Sequence, residues 1–226
     1  MYPPVCPFCG KISKEGICAS CRKRVVYIGE RRCMCCGKPV EKEEQEYCRD
    51  CRKHSDFYEF DQGRSVWVHR APVSSAVYRF KYKNKRHYGK VFAEEMAENC
   101  AGQIHRWGIE EIIPVPLHSA KRKVRGYNQA EILAEELGKI LNIPVNKKIL
   151  YRIRNTKPQK DLDNAQRIQN LKGAFAVSKH QPVKNSVLVI DDIYTTGSTI
   201  HKAAHMLKLA GAQKVYFLTI SIGQGV

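Results

Sequence analysis

The segment Ser186-Val187-Leu188-Val189-Ile190-Asp191-Asp192-Ile193-Tyr194-Thr195-Thr196-Gly197-Ser198-Thr199 constrains the fold more than any other. An apolar, β-branched run ends in two adjacent carboxylates, and small hydroxyl residues with one glycine follow before a helical pattern begins. Ile200, Ala203, Ala204 and Leu207 fall at i, i+3, i+4, i+7, an amphipathic stripe, and Gly211 is placed as its C-terminal cap. Lys214 to Ile222 reads as a second buried strand. Strand, helix, strand of this length predicts a parallel α/β unit whose ligands bind at the carboxyl ends of the strands.

Hydroxyls and backbone amides at the start of a helix suit a phosphate, because the amides point outward and the helix dipole is positive there. Thr195, Thr196, Ser198 and Thr199 add hydroxyl donors, and Gly197 lets the backbone approach closely. Asp191 and Asp192 can accept hydrogen bonds from ribose hydroxyls, directly or through water on a bound Mg²⁺. A phosphorylated sugar is therefore the expected ligand class. The plainer alternative is an ordinary strand-turn-helix in which both acids only cap the turn.

Upstream, Ser65 to His69 reads as a short strand, and Ala71-Pro72 opens a helix. From Val77 to Lys90 the chain carries no acid and interleaves aromatics with cations, among them Arg79, Lys81, Tyr82 and Lys83. Rings for bases and cations for phosphates suit single-stranded nucleic acid. A helix with Val73, Val77 and Phe80 turned inward and its cations merely solvated fits the same letters. Glu111 to Leu117 predicts another buried strand, followed by a basic loop with Arg122 and Arg125. A helix with the stripe Ala130, Leu133, Ala134, Leu137 and Leu141 comes next. A basic loop at that sheet edge would hold a pyrophosphate or a DNA phosphate. A third strand is expected at about Val145 to Leu150. Residues 147–172 then carry eight cations against two acids, including Arg152, Arg154 and Arg167. They read as a basic flap over a phosphorylated ligand or a DNA strand, or else as a solvated loop.

Eight of the ten cysteines form four C-x₂-C pairs: Cys6/Cys9, Cys18/Cys21, Cys33/Cys36 and Cys48/Cys51. Two such knuckles complete a tetrahedron of thiolates around zinc. The simplest assignment is two sequential Cys₄ sites, 6/9/18/21 and 33/36/48/51. Spacing alone leaves open interleaved pairing or one unmetallated site, and the plainer alternative is reduced or disulfide-bonded cysteine without metal. Cys35 is read as incidental and Cys100 as a packing residue. So polar a segment has little apolar surface to bury, so metal is expected to supply its stability. The expected organisation is a cysteine-rich zinc-binding module over residues 1–55, a joint near 55–63, and one α/β domain over 64–226.

The formal net charge of +17 asks for an anionic partner. Residues 1–55 hold twelve Lys/Arg and seven Asp/Glu; the rest hold 27 and 15. Each Cys₄ zinc site adds about −2, which nearly cancels the excess of the first part, so the field belongs mainly to the α/β domain. No apolar run approaches a bilayer span, and the N-terminus has no signal-peptide pattern, so no membrane insertion and a cytoplasmic location are expected.

The Asp191–Thr199 segment resembles the phosphoribosyl pyrophosphate (PRPP) loop of type I phosphoribosyltransferases. In that family the acids lie against the ribose and the Thr-Thr-Gly-Ser-Thr stretch cradles the 5′-phosphate. The cysteine pairs, Pro114-Val115-Pro116-Leu117 with Arg125-Gly126-Tyr127-Asn128-Gln129-Ala130, and Arg152-x-Arg154-x-Thr156-x-x-Gln159 with Arg167, Asn170, Gly173 and Phe175 extend the likeness. With these the chain is similar to the ComF family of bacterial competence proteins over nearly its whole length. The resemblance implies a type I phosphoribosyltransferase-like parallel sheet with helices on both faces and a small zinc-ribbon module. It implies the handling of incoming single-stranded DNA in natural transformation, beside a helicase-like translocase, with PRPP or a nucleotide as a further ligand. An active Mg²⁺-dependent phosphoribosyltransferase whose acceptor no residue reveals is the competing expectation. A PRPP-sensing regulator that binds nucleic acid is the third.

Overall fold

The computed structural model describes residues 4–53, 58–154 and 173–223. Two short helices, α1 (Ala19–Arg22) and α2 (Arg49–Lys53), belong to the cysteine-rich segment. Then come β1 (Gln62–Val68), α3 (Val73–Tyr82), α4 (Tyr88–Arg106), β2 (Glu111–Pro114), α5 (Ser119–Arg125) and α6 (Gln129–Leu141). The chain continues through β3 (Leu150–Arg152), β4 (Phe175–Val177), β5 (Ser186–Tyr194), a helix we number α7 (Ser198–Leu209), and β6 (Lys214–Ile222).

Four strands form one sheet in the order β1-β6-β5-β2, parallel throughout. Parallel sheets need cover on both faces, and the sequence supplies it by alternation. Leu188, Ile190, Leu218 and Ile220 face α3, α4 and α6, whereas Val187, Val189, Val215 and Phe217 face α7. The expected stripes are the ones buried: Ala130, Leu133, Ala134 and Leu137 on α6, and Ile200, Ala203, Ala204 and Leu207 on α7. On α3, Val73, Val77 and Phe80 are buried, which is the inward-facing helix the sequence allowed.

Three local expectations are corrected. The strand carrying the acids does not end at them: β5 pairs with β6 as far as Tyr194↔Ile222. The basic stretch after β2 is not a loop but the seven-residue helix α5, closed by Gly126 at φ 79°. The strand expected at Val145–Leu150 is a single parallel bridge, Val145↔Ile112, and the chain pairs as a strand only from Leu150, antiparallel to β4.

The free edge of β1 is closed by the cysteine-rich segment. Between the two ribbons the chain runs antiparallel to β1, with Ile28 N donating to Val66 O (3.0 Å) and Val68 N to Val26 O (2.9 Å). An unpaired edge would be a template for aggregation, so this short annex completes the sheet. The ribbons flank it on opposite faces. The first contributes Cys6, Phe8, Ile17 and Val25 to the core with Trp67 and Phe92, and Phe8 meets Trp67 edge-on at 5.6 Å. The second buries Cys33, Cys36, Cys48 and Cys51 beside Phe60, Tyr194 and Phe217.

Gly63 in β1 leaves the space that the Phe217 ring fills; a Cβ there would fall 1.9 Å from that ring. Phe217 is itself stacked on Tyr194 at 4.7 Å and cannot yield easily. Gly63→Ala is therefore expected to cost about 1–3 kcal/mol in urea unfolding. Gly29→Ala, where a Cβ meets nothing within 4 Å, leaves the midpoint unchanged.

Candidate anion-binding site and metal centres

Two groups of four sulfurs are assembled, Cys6/Cys9/Cys18/Cys21 and Cys33/Cys36/Cys48/Cys51, each with all ligand atoms within 4.8 Å of one another. Zinc at about 2.3 Å from four sulfurs requires S···S edges of about 3.8 Å. The Cys9–Cys18 and Cys36–Cys48 separations are 3.7 and 3.6 Å, so the donor set fits zinc. The first knuckle of each ribbon is built alike. Gly10 N donates to Cys6 O and Gly37 N to Cys33 O, both at 2.9 Å, and both glycines have φ near +77°. Sequential pairing is thus the one the fold adopts, and the chain holds two Cys₄ zinc sites. Cys35 is outside the tetrad, and Cys100 is buried on α4.

The sites differ in access. All four sulfurs of the second are buried, but in the first Cys9 is exposed and Cys18 half-buried. A metallochromic chelator should therefore withdraw zinc in two phases, the 6/9/18/21 site first, and Cys9→Ser should retain one zinc per chain.

At the carboxyl ends of β1, β2 and β5 lies a cleft of about 1230 Å³. Asp191, Asp192 and Thr195 enter it from β5 and the loop after it, and Thr199 from the first turn of α7; His69 follows β1, and Val115 to Leu117 follow β2. Lys81, Tyr82 and Arg86 come from α3 and the turn after it, Lys121, Lys123 and Arg125 from α5, and Arg152 from β3. Six cations thus face two acids.

Charges in the cleft are shaped by burial. Asp191 is pushed up to about 7, chiefly by burial and then by the neighbouring Asp192 charge; Lys81, the Asp192 amide and Arg152 pull the other way. That amide donates to Asp191 Oδ1 at 2.8 Å. Asp192 is held by Lys81 Nζ at 2.8 Å. Burial, then the Lys81 charge, keeps His69 below its ordinary value, and its Nδ1 sits 2.8 Å from Ser221 Oγ. Lys121 is lowered by burial first and then by Arg152 and Arg125. Cations that depress one another favour an anion among them.

The loop before α7 is supported from behind. Gly197 at φ 78° caps the helix, and a Cβ on it would come within 2.4 Å of the Tyr194 hydroxyl. Tyr58 Oη donates to Thr196 O at 3.0 Å, and Thr196 Oγ1 and Ser198 Oγ lie 2.9 Å apart. Thr196, Gly197 and Ser198 line a small hollow within that loop rather than the main cleft.

The other expected cations are dispersed. Arg79 Nη2 donates to Pro7 O (2.7 Å) and Phe8 O (3.1 Å), the carbonyls between the first two zinc ligands. Arg122 pairs with Glu131 at 2.6 Å, outside the cleft. Arg125, by contrast, stays in the cleft, where it donates to Gln129 and lies over the Tyr82 ring at 4.8 Å. Lys83 and Arg154 are exposed. Arg167 and most of the basic stretch, 155–172, lie outside the described residues. His69, Arg86, Lys121, Lys123 and Tyr78 belong to the cleft without having been singled out in the sequence. His69 was signalled by its place at the end of a strand; the two lysines had only the basic character of their stretch to mark them.

Residues 1–52 match the family model described as a double zinc ribbon domain. Competence protein F of Haemophilus influenzae is 32% identical over 209 residues, covering 90% of this chain and 89% of that protein. The chain belongs to the ComF family. Competence protein ComFC of Bacillus subtilis is 27% identical over 85% of this chain and 78% of its own. The DNA utilization protein YhgH of Salmonella typhimurium is 28% identical over 94% of each. A solved purine phosphoribosyltransferase from Pyrococcus horikoshii aligns with TM-score 0.36 and 16% identity, covering 59% of this chain and 88% of that one. No helix of the described residues is long and apolar enough to cross a membrane.

The raised Asp191 has a consequence for stability. A carboxyl whose pKa climbs from 3.8 to about 7 on folding costs nothing below about pH 4, where folded and unfolded chains both hold the proton. The penalty grows between pH 4 and 7 and is complete above. Asp191→Asn should therefore raise stability at pH 8 by about 1–2 kcal/mol, discounted for the carboxylate's partial solvation, and leave it unchanged at pH 4.

Proposed function

We propose that this ComF-family chain handles single-stranded DNA during natural transformation, gripping phosphates in the cleft at the carboxyl edge of its sheet. The observation that carries this reading is the charge and ring content of that cleft. Six cations surround two acids. At its mouth Tyr78 and Tyr82 are half exposed with ring centroids 5.0 Å apart, and Arg125 lies over Tyr82. Exposed rings beside guanidinium groups suit stacked bases, and the cations track phosphates. The excess of +17 supports a long anionic partner over a lone nucleotide. The named functions of the relatives, competence and DNA utilization, point the same way. A cytoplasmic place beside a helicase-like translocase completes the reading.

Within it, Thr195 to Thr199 and the N-terminus of α7 take a phosphate, that of PRPP, a nucleotide or a DNA end. Asp191 and Asp192 face sugar hydroxyls or a Mg²⁺. Two carboxylates suit this hard cation, whose remaining positions are filled by water and phosphate oxygens. A second reading, an active phosphoribosyltransferase, is favoured by the meeting of both acids, Thr195 and Thr199 in one cleft. There Mg²⁺ would supply charge neutralisation of the leaving pyrophosphate. The chain's own residues would hold the 5′-phosphate at Thr195–Thr199 and the pyrophosphate at Arg125 and Arg152, positioning the anomeric carbon for an acceptor.

Fluorescence anisotropy of a labelled single-stranded oligonucleotide tests both. Affinity should fall roughly tenfold or more over a roughly fourfold rise in salt, and Mg²⁺–PRPP should compete with a 5′-phosphorylated end. A flat salt response would sink the DNA reading. Asp191→Asn with Asp192→Asn should abolish PRPP binding while the circular-dichroism spectrum is kept; unchanged PRPP affinity refutes the pocket.

A further inference from the structure

Lys81 is the one cation of the cleft in an ion pair with an acid of the loop strand among the described residues, at 2.8 Å from Asp192 Oδ1. Both side chains are largely buried, 19% and 11% exposed. Lys81 is not placed there by chance of a flexible surface chain. Its helix is pinned on one side by Arg79, which donates to the carbonyls of Pro7 and Phe8. Phe80, between them, is fully buried, and its carbonyl accepts hydrogen bonds from Tyr127 Oη and Gln129 Nε2. The helix therefore delivers the ammonium to Asp192 from a fixed base.

That placement creates a conflict. A Mg²⁺ ion at the acid pair and an ammonium on Asp192 are like charges competing for one carboxylate, and at such range their repulsion in a partly buried site is large. The flexible four-carbon stem of a lysine lets its charge move several ångström while its Cα stays put. The nearest anionic destination is then a ligand phosphate, since the other charged groups facing Lys81 are Asp191, which the metal takes as well, His69, which the Lys81 charge already disfavours as a cation, and the cations of α5.

We propose that Lys81 is an exchangeable counter-ion: it neutralises Asp192 in the ligand-free cleft and transfers to a phosphate of the ligand when a divalent cation takes the carboxylates. This rests on the cleft being a phosphate-ester site, as argued above, and adds to it a residue that couples the metal to the phosphate. Metal alone must displace the lysine unaided, so it binds weakly. Metal with a phosphate ester gives the lysine a new partner, so the two bind cooperatively. Any phosphate ester brought with the cation would serve, PRPP or a DNA 5′-end.

The test uses zinc-loaded full-length protein, Mn²⁺ in place of Mg²⁺, and Lys81→Met, with Lys90→Met as a control that removes the same charge from an exposed position on α4. Free Mn²⁺ is measured by electron paramagnetic resonance, and PRPP affinity by calorimetry at saturating Mg²⁺. The expected signs are opposite. Lys81→Met binds Mn²⁺ alone roughly tenfold more tightly than Lys90→Met and binds PRPP about ten- to hundredfold more weakly. Equal Mn²⁺ affinities in the two variants, or unchanged PRPP affinity, overturn the proposal. If wild-type protein takes no PRPP, the pocket reading fails on its own. The Mn²⁺ comparison then still decides whether Lys81 competes with metal for Asp192.

Discussion

Four thiolates remain within a few ångström of each other only with a cation at their centre, and most of this structure is fastened to two such tetrahedra. The first ribbon fixes α3 through Arg79, and α4 through Arg22, whose guanidinium meets Glu95 at 2.5 Å while Tyr27 donates to the same carboxylate at 2.8 Å. The second lies against Phe60, Tyr194 and Phe217, and this aromatic layer, with Tyr58, supports the Thr196–Gly197 turn. One ribbon thus braces the helix that supplies Lys81, and the other braces the loop that would receive a phosphate. None of the zinc ligands lines the cleft, yet both of its walls are braced by the ribbons that hold them.

The cleft is built on an electrostatic imbalance rather than a neutral fit. Burial drives Asp191 towards its protonated form, while Lys81 neutralises Asp192. The acids therefore cancel little of the charge of Arg86, Lys121, Lys123, Arg125 and Arg152, and the empty site is strongly positive. Such a site attracts phosphate at a distance and is screened by salt. The Tyr78–Tyr82 pair at its rim adds short-range contacts that salt does not weaken.

Much of this was legible in the sequence because it lies in local patterns. The β5–α7 unit, the four knuckles and the stripe of α6 are each periodic or fixed-spacing signals, and each formed where expected. The failures have physical reasons. Helix α5 buries none of its residues, so no apolar period betrays it; a histidine cap at His118 and Gly126 in the left-handed region are what close it. Strand β3 needs its partner β4, and the pairing of Leu150 with Val177 is a tertiary fact that Val145–Leu150 does not announce. Arg79 and Lys81 sit two apart in one basic run, and composition gave both to nucleic acid. Their targets are backbone carbonyls of the knuckle and a carboxylate on another strand, which have no signature near the helix.

That division of labour within one turn of helix bears on how the proposed phosphate site and the proposed DNA handling could share one cleft. A small-molecule transferase needs its charge only at the reacting phosphates, a role that Lys81, Arg125 and Arg152 would fill in the second reading. The additional Arg86, Lys121 and Lys123 line the same opening. Arg86 donates to Asn84 Oδ1 and Gly126 O and lies over the Tyr127 ring, and Lys123 is exposed. A charge exposed on its stem, as at Lys123, contributes little to stability. On the proposed reading an extended polyanion would lie across the cleft, its successive phosphates meeting the deep site and the rim together, with the tyrosines between them receiving bases. The loop of Asp191 to Thr199 would then read one terminal phosphate, and the rim the chain that follows it.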